Sequence, residues 1–440
     1  MFTALAALVA FLSGFTDVRI GDIQTVEIVI MGALALSFLL PRQAAQVEGP
    51  VVTINLLPRI LVMLTLVACG SLLSLRLTFY PPDDIGLLKQ PPWATIVRLI
   101  EVSISTSAVF IVALAIRDDP RKFSLVLKAY VWAGLLNAIW GLIAFAIFFG
   151  AGIDLPGITL GGRIPRVCGF FNEGGPFGVY MAGVALIQYI RGPMLGYIGK
   201  FQYRSSIVLM MVAIIGSQSK ASVLVILVLA LLGFAQQRRA ALVAFALVLV
   251  VPLAIASNLV EGLNGYYDSL VNFREQAYER STDGNLVNGR LMASVLLPRI
   301  VEAHPILGVG IGNYSLVRNN PNILLGLPRT EVWDLHGLGL LGYLAELGIP
   351  LTLFVLYIYA YPFFTALRQR GWIFMLSAYP MLAALFGVQL NFAYPWVVMG
   401  LALSAISIDR KYRATGRALV PAAPRSARTL RESVGRLRRR

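Results

Sequence analysis

The chain has 440 residues, of which 58% are hydrophobic and only 13% are charged. A soluble globular protein carries roughly 25% charged residues, so this composition excludes a soluble enzyme, a disordered protein and a disulfide scaffold. Its two cysteines, Cys69 and Cys168, exclude a cysteine metal cluster. Its two histidines lie 32 residues apart and show no metal-ligand spacing, so we expect no metal and no other cofactor.

Apolar segments of about 20 residues recur along the whole length and predict an all-α, polytopic transmembrane bundle of about twelve helices. The segments cover roughly 1–14, 24–40, 56–77, 93–116, 124–150, 176–190, 205–217, 220–235, 240–257, 338–366, 372–388 and 391–407. The first segment has no basic leader and no small-residue cleavage site, so we expect a retained helix. Residues 1–257 then hold helices one to nine, with an outer loop at 151–175, and residues 336–407 hold helices ten to twelve.

The charge distribution predicts the orientation of the bundle. The net charge is +15, and a cytoplasmic N-terminus places 24 of the 37 basic residues on the cytoplasmic side. Basic loops stay in the cytoplasm, so we expect both termini there. The tail at 408–440 is strongly basic, which indicates a disordered segment in contact with anionic lipid rather than a nucleic-acid site. A docking arm for partner proteins is the alternative interpretation of this tail.

A long loop at 258–335 falls on the outer side in this topology. Its mixed charges and helical spacing predict short amphipathic helices on the membrane surface. A loop of this length indicates a function, because long structureless loops are uncommon in compact proteins.

Cations on the outer side are not explained by the rule that keeps basic residues inside. They are Arg163, Arg166, Lys220, Arg290 and the titratable His336. Such cations must face water, headgroups or an anionic ligand, because an unpaired charge in the membrane is costly. Arginine holds phosphate oxygens bidentately, so the set would suit a lipid-linked diphosphate. The imidazole of His336 could take a proton from an attacking hydroxyl.

Each of these residues also has a structural interpretation. Arg163 and Arg166 would pair with headgroups or with acidic residues such as Glu173. Lys220 would extend from a helix end toward the interface. His304 precedes a proline at the end of a predicted helix, which favours a structural cap over a supporting role at the site. The glycine run from Gly308 to Gly312 follows no strand–helix unit, so a nucleotide site is rejected.

The order of these motifs resembles the O-antigen ligase/polymerase superfamily. The stretch HPILGVGIGNY at 304–314 is similar to the family's hPllGvGpgnf, and His336 followed by YLAELGI at 343–349 is similar to its HN.yLq.laElGi. The segment RVCGFFNEGGPFGVY at 166–180 resembles the family's R..G.f..p..fg.yl. Lys220 stands where the family has an arginine at a polar break, and Arg290 stands where it has an arginine on a periplasmic helix. The resemblance covers roughly residues 160–350.

The resemblance implies a GT-C-like glycosyltransferase of a bacterial inner membrane, with a periplasmic site, a donor glycan linked to undecaprenyl diphosphate, and no metal. The outer loop 258–335 would then be periplasmic, and other polysaccharide-assembly proteins would be the partners of the basic tail if it is a docking arm. By position, His336 would be the general base, Arg290 and Lys220 would hold the diphosphate, and Arg166 would assist at the rim, with inversion at the anomeric carbon. Lys220 keeps the positive charge of the family's arginine, but a lysine cannot bind two phosphate oxygens in the bidentate way that an arginine can. The acidic Glu173 gives a weak lean toward polymerase-like relatives.

Three functions remain open from the sequence. A polymerase would use a lipid-linked repeat unit as acceptor, and a ligase would use lipid A–core. A secondary transporter of an anionic solute or lipid is the alternative from another class, but transporters show paired interrupted helices in two related halves, and no such pairing is present.

Overall fold

The chain folds as a helical bundle with two small strand pairs. The computed structural model describes residues 1–20, 23–39, 51–82, 85–160, 165–191, 200–237, 272, 290–330, 339–369, 371–386 and 388–414. The helices before the long loop are α1 Phe2–Leu12, α2 Thr25–Leu39, α3 Val51–Ser74, α4 Trp93–Ile116, α5 Pro120–Ala151, α6 Gly174–Arg191, α7 Lys200–Ser217 and α8 Lys220–Gln237. Those that follow are α9 Arg290–Ala303, α10 Tyr314–Val317, α11 Pro321–Leu324, α12 Gly339–Thr365, α13 Gly371–Leu385 and α14 Ala393–Ala414.

Eleven of the twelve predicted apolar segments coincide with helices, and the twelfth, 240–257, lies outside the described residues. Within the described ranges, four helices are long and apolar enough to cross a membrane: Asn55–Ser74, Trp93–Ile116, Pro120–Ala151 and Gly339–Thr365. The other apolar helices are shorter. A membrane-embedded helical protein is therefore supported, while the count of twelve spans stays a prediction.

Most inter-helix loops of the described chain meet at one end of the bundle, here called the hairpin end. It carries the antiparallel pair β1 Arg19–Ile20 with β2 Ile23–Gln24, and the pair β3 Ile158–Thr159 with β4 Arg166–Val167. The loops bond to one another: the amide of Asp17 donates to the carbonyl of Phe170 (2.9 Å), and that of Tyr80 donates to Leu316 (2.7 Å). The opposite end, where α14 finishes at Ala414, is called the tail end.

The last helix, α14, runs through the middle of the bundle and is buried from Ala393 to Asp409. It packs against α4 and α13. A side chain at Gly400 would meet the carbonyl oxygen of Val109 on α4 at 2.9 Å, so the small residue allows this close approach. The indole of Trp396 donates to the carbonyl of Leu390 (2.8 Å), which closes the turn that leads into α14.

Candidate functional site

The β3–β4 hairpin is held against the bundle by polar groups that the apolar helices supply. Asn137, fully buried within α5, accepts a hydrogen bond from the amide of Phe170 (2.9 Å) and donates one to the carbonyl of Gly14 after α1 (2.9 Å). The carbonyl of Gly157 accepts from the amides of Cys168 and Gly169. Burial raises the pKa of the Cys168 thiol, which keeps it protonated and inert. The hairpin is thus a fixed platform.

The polar break before Lys220 separates two helices. Helix α7 ends at Ser217, Gln218 adopts φ +51°, and α8 begins at Lys220. The Ser219 hydroxyl accepts from the amide of Ser222 at 3.3 Å, as an N-cap residue does. Lys220 is exposed at the first position of α8. The break therefore presents a cation at the N-terminus of a helix, where the helix dipole is positive, a combination that favours anions.

Arg166 joins the hairpin to this break. Its Nε donates to the carbonyl of Ser217 at 3.0 Å, and Nη2 donates to the carbonyl of Gln218 at 3.5 Å. A cation at the end of α7 also interacts favourably with the helix dipole. The structure thus brings two predicted site residues, Arg166 and Lys220, to one place at the hairpin end.

Helix α6 begins at the same place, because glycines let its backbone approach the break. A side chain at Gly174 would meet the Ser217 carbonyl oxygen at 2.7 Å, and one at Gly178 would meet the Ser217 hydroxyl at 2.7 Å. The Ser219 hydroxyl donates to the carbonyl of Gly175 (3.1 Å). Glu173, the exposed residue that precedes α6, stands at the edge of this assembly. We call the group formed by Arg166, Lys220 and the first turns of α6 and α8 the cationic cluster.

The glycine run, residues 308–312, forms hydrogen bonds with the backbone of another part of the chain. Gly308, Gly310 and Gly312 have φ values of +65°, +88° and +76°, a region that L-residues with side chains rarely adopt. The amides of Val309 and Gly310 donate to the carbonyls of Ala345 and Glu346 on α12 (2.9 Å each). The run therefore pairs with the kinked start of α12.

The same loop is also anchored to α3 and α4. The amide of Ile311 donates to the Ser71 hydroxyl (3.0 Å). Asn313 is fully buried, accepts from the Thr95 hydroxyl at 2.9 Å and donates to the carbonyl of Val309 at 3.0 Å. The HPILGVGIGN stretch is therefore the element that ties the long loop to three helices of the bundle.

The remaining predicted site residues are distributed along the long loop and the hairpin. Arg290 is the first residue of α9, and His304 follows its last residue, so about 21 Å of helix separates their backbones. His304 is partly buried, its carbonyl accepts from the amide of Gly308 (3.1 Å), and burial lowers the pKa of its imidazole. This placement agrees with a structural cap. His336 and Arg163 lie outside the described residues.

Two further charged groups at the hairpin end were missed by the sequence analysis. Arg98 Nη1 lies 2.8 Å from Glu101 Oε2 within α4, and Asn391 Nδ2 donates to the same carboxylate oxygen at 3.2 Å. Two charges three residues apart inside the apolar run 93–116 were the available signal. Arg318 is 1% exposed, and burial lowers the pKa of its guanidinium. Nothing in its local sequence distinguishes this buried arginine from a surface one.

In the described part of the chain, no three His, Cys, Asp or Glu side chains come together as a metal site would require. What the hairpin end does assemble is a set of fixed cations and helix N-termini, with one loop that fastens it to the bundle.

Residues 205–356 match the family model described as O-antigen ligase. The match covers less than half of the chain and supports its resemblance to the O-antigen ligase/polymerase superfamily. The match begins in α7 and ends in α12, so it includes the Lys220 break, Arg290, the glycine run and His336. The family implies a membrane glycosyltransferase of the ligase or polymerase type, with lipid-linked glycan substrates. The comparison with curated proteins gives no match.

Proposed function

We propose that the chain transfers a glycan from undecaprenyl diphosphate to a hydroxyl acceptor, with inversion at the anomeric carbon, on the periplasmic face of a bacterial inner membrane. The observation that carries the proposal is the bond of Arg166 to the Ser217 carbonyl, which fixes a cation at the break beside Lys220. Preorganised positive charge of this kind stabilises a leaving diphosphate, on which negative charge increases during transfer.

A small apolar groove of about 20 Å³ lies on the two helices that contribute to the cationic cluster, α6 and α8. It is lined by Ala185 and Leu186 of α6 and by Ile226, Leu229 and Ala230 of α8. The groove begins roughly 10 Å along α8 from Lys220, since a helix rises 1.5 Å per residue. A prenyl chain lying along the outer, apolar faces of α6 and α8 would place its diphosphate at the cationic cluster, and the groove marks where those faces meet. This arrangement supports a lipid-linked donor over a nucleotide sugar.

His336 is the proposed general base. The acceptor oxygen would attack the anomeric carbon while the bond from that carbon to the diphosphate oxygen breaks. The hydroxyl proton would pass to the imidazole. Arg290 and Lys220 would hold the diphosphate, Arg166 and Arg163 would assist at the rim, and Glu173 and His304 would be supporting residues at most.

A transfer assay with the purified full chain and a lipid-linked donor tests the proposal. His336→Ala should abolish product formation while thermal unfolding stays that of the parent protein. A variant that folds normally and transfers at a near-normal rate would remove His336 as the base. Arg290→Ala should raise the KM for the donor, and Arg290→Lys should restore it only in part, because lysine lacks the bidentate fork.

The acceptor is tested by the glycans of a strain that lacks the gene. Repeat units that remain single would identify a polymerase, the activity that the acidic Glu173 weakly favours. Long chains that stay on the lipid carrier would identify a ligase with lipid A–core or a similar acceptor. An unaltered glycan profile would overturn both activities and favour a transporter, which counterflow of a labelled solute would then detect.

A further inference from the structure

A polar cavity lies at the tail end of the bundle, away from the cationic cluster. It has a volume of about 500 Å³ and is lined by Asn55 and Arg59 of α3, by Tyr357, Tyr361, Phe364 and Thr365 of α12, and by Arg410 of α14. Arg59 lies 12 residues before Ser71 on α3, and the Ser71 hydroxyl bonds to Ile311 of the glycine run. Since a helix rises 1.5 Å per residue, Arg59 is roughly 18 Å from that run. A pocket of this size accommodates a small molecule or a headgroup.

Arg59 is held in a fixed orientation between two aromatic rings. Its Cζ lies 4.7 Å from the ring centre of Tyr361 and 5.7 Å from that of Tyr357. These cation–π contacts orient the guanidinium without neutralising its charge. Its Nη1 is buried and has no hydrogen-bond partner among the described residues. A buried donor without an acceptor is costly, and no described carboxylate pairs with this guanidinium to offset that cost.

The cavity carries positive charge that the neighbouring acid does not cancel. Arg410 is exposed at its edge. The adjacent carboxylate, Asp409, lies 2.7 Å from Arg413 Nε and is engaged by that residue. The chain beyond α14, residues 415–440, has eight basic residues and one acidic residue, so its net charge is also positive. The fitting occupant is an external anion.

The helices around the cavity present apolar side chains to the outside of the bundle. Leu57 and Leu61 of α3 and Leu353 of α12 are 41%, 54% and 60% exposed. Phe364, which lines the cavity, is 57% exposed. In a membrane these side chains face acyl chains. An occupant with an anionic head and apolar chains matches both the cavity and its surroundings.

We propose that this cavity binds the headgroup of an anionic glycerophospholipid, with Arg59 and Arg410 holding the phosphate and the acyl chains lying along α3 and α12. Basic pockets between membrane helices bind such headgroups on the side where basic loops collect. The lipid would join α3, α12 and α14 at the tail end. This inference is independent of the proposed glycosyl transfer.

The test uses the purified full chain in detergent and measures binding of short-chain phosphatidylglycerol, short-chain phosphatidylcholine and inorganic phosphate. Phosphatidylglycerol should bind the parent protein at least tenfold more tightly than phosphatidylcholine. Arg59→Gln and Arg410→Gln should each weaken that binding several-fold, and together at least tenfold. The matched control is Arg121→Gln, which removes an exposed cation from the start of α5, outside the cavity, and should leave the affinity unchanged.

The outcomes separate the sources of the anion. Equal affinity for inorganic phosphate would overturn the lipid and leave a soluble anion site. Equal weakening by Arg121→Gln would show general charge attraction and overturn the site. Arg410 is exposed, so its variant should fold normally and carries the test even if Arg59→Gln does not fold. Unchanged phosphatidylglycerol binding in a folded Arg410→Gln variant would refute the role of that residue.

Discussion

The backbones of Gly308 and Gly348 are in close contact where the long loop meets the kink of α12. A side chain at Gly308 would stand 2.6 Å from the amide nitrogen of Gly348, and a side chain at Gly348 would stand 2.9 Å from that of Gly308. Both residues have positive φ, +65° and +72°. The contact joins two ends of the motif that carries the family resemblance, and it leaves no room for any other residue type.

Replacing either glycine by alanine should therefore destabilise the protein. We expect Gly308→Ala and Gly348→Ala each to cost about 2 kcal/mol or more, because the new methyl group meets backbone and the residue has positive φ. The matched control is Gly70→Ala in α3, where a side chain would meet nothing within 4 Å. That substitution should be neutral or stabilising by up to about 1 kcal/mol, since alanine favours a helix. Thermal unfolding in detergent measures all three, and equal effects at the three positions would contradict the packing argument.

The bond between Thr95 and Asn313 should contribute a measurable coupling energy. Both residues are fully buried, and the hydroxyl donates to the amide oxygen over a sequence separation of 218 residues. A double-mutant cycle with Thr95→Val and Asn313→Ala should give about 1 kcal/mol of coupling in unfolding free energy. Thr65→Val is the control, because the Thr65 hydroxyl is exposed and bonds within its own helix, to Leu61. Additive effects of the two substitutions would show that the bond does not hold the loop.

Lys220 should govern the affinity for the donor without affecting the fold. The residue is exposed, so Lys220→Ala should leave thermal unfolding unchanged and weaken binding of a prenyl diphosphate by roughly tenfold, the effect of about 1.4 kcal/mol. Lys220→Arg should bind at least as well as the parent protein, because arginine holds phosphate bidentately. Lys122→Ala, a change near the start of α5 at the tail end, is the control and should have no effect on prenyl diphosphate binding. Full affinity in Lys220→Ala would exclude the residue from the diphosphate site.

His304 should make the protein less stable in mild acid. Burial lowers the pKa of its imidazole in the folded chain, while the unfolded chain titrates at the ordinary value of 6.5. The unfolded state therefore binds the proton more tightly, and stability should decrease as the pH falls below about 6.5. His304→Gln should reduce the dependence of the melting temperature on pH between 5 and 7. The only other histidine is His336, so His336→Gln provides the comparison. An unaltered pH dependence in His304→Gln would show that this group does not titrate differently on folding.

The helices were predictable from sequence, because apolar runs of this length have few alternatives in a membrane. The break at Lys220 was also predictable, since four polar residues interrupt an apolar run. The partner of Arg166 was not, because it is a backbone carbonyl 51 residues away that no side-chain pattern encodes. Nor was the environment of Arg59 predictable: the residue lies inside α3, against two tyrosines of α12. Its role depends on which helices are neighbours, and hydropathy does not specify this.

The anchoring of the glycine run has a consequence for how the chain is made. Ser71 and Thr95 enter the membrane early in synthesis, but their partners Ile311 and Asn313 follow 240 and 218 residues later. During that interval the loop that these hydroxyls bond has not yet been synthesised, and the first helices are without it. The hydrogen bonds of the glycine run at the hairpin end are complete only when α12 supplies the carbonyls of Ala345 and Glu346. Nascent chains that stop before this point therefore leave the polar groups of Ser71 and Thr95 without these partners at the end of the bundle.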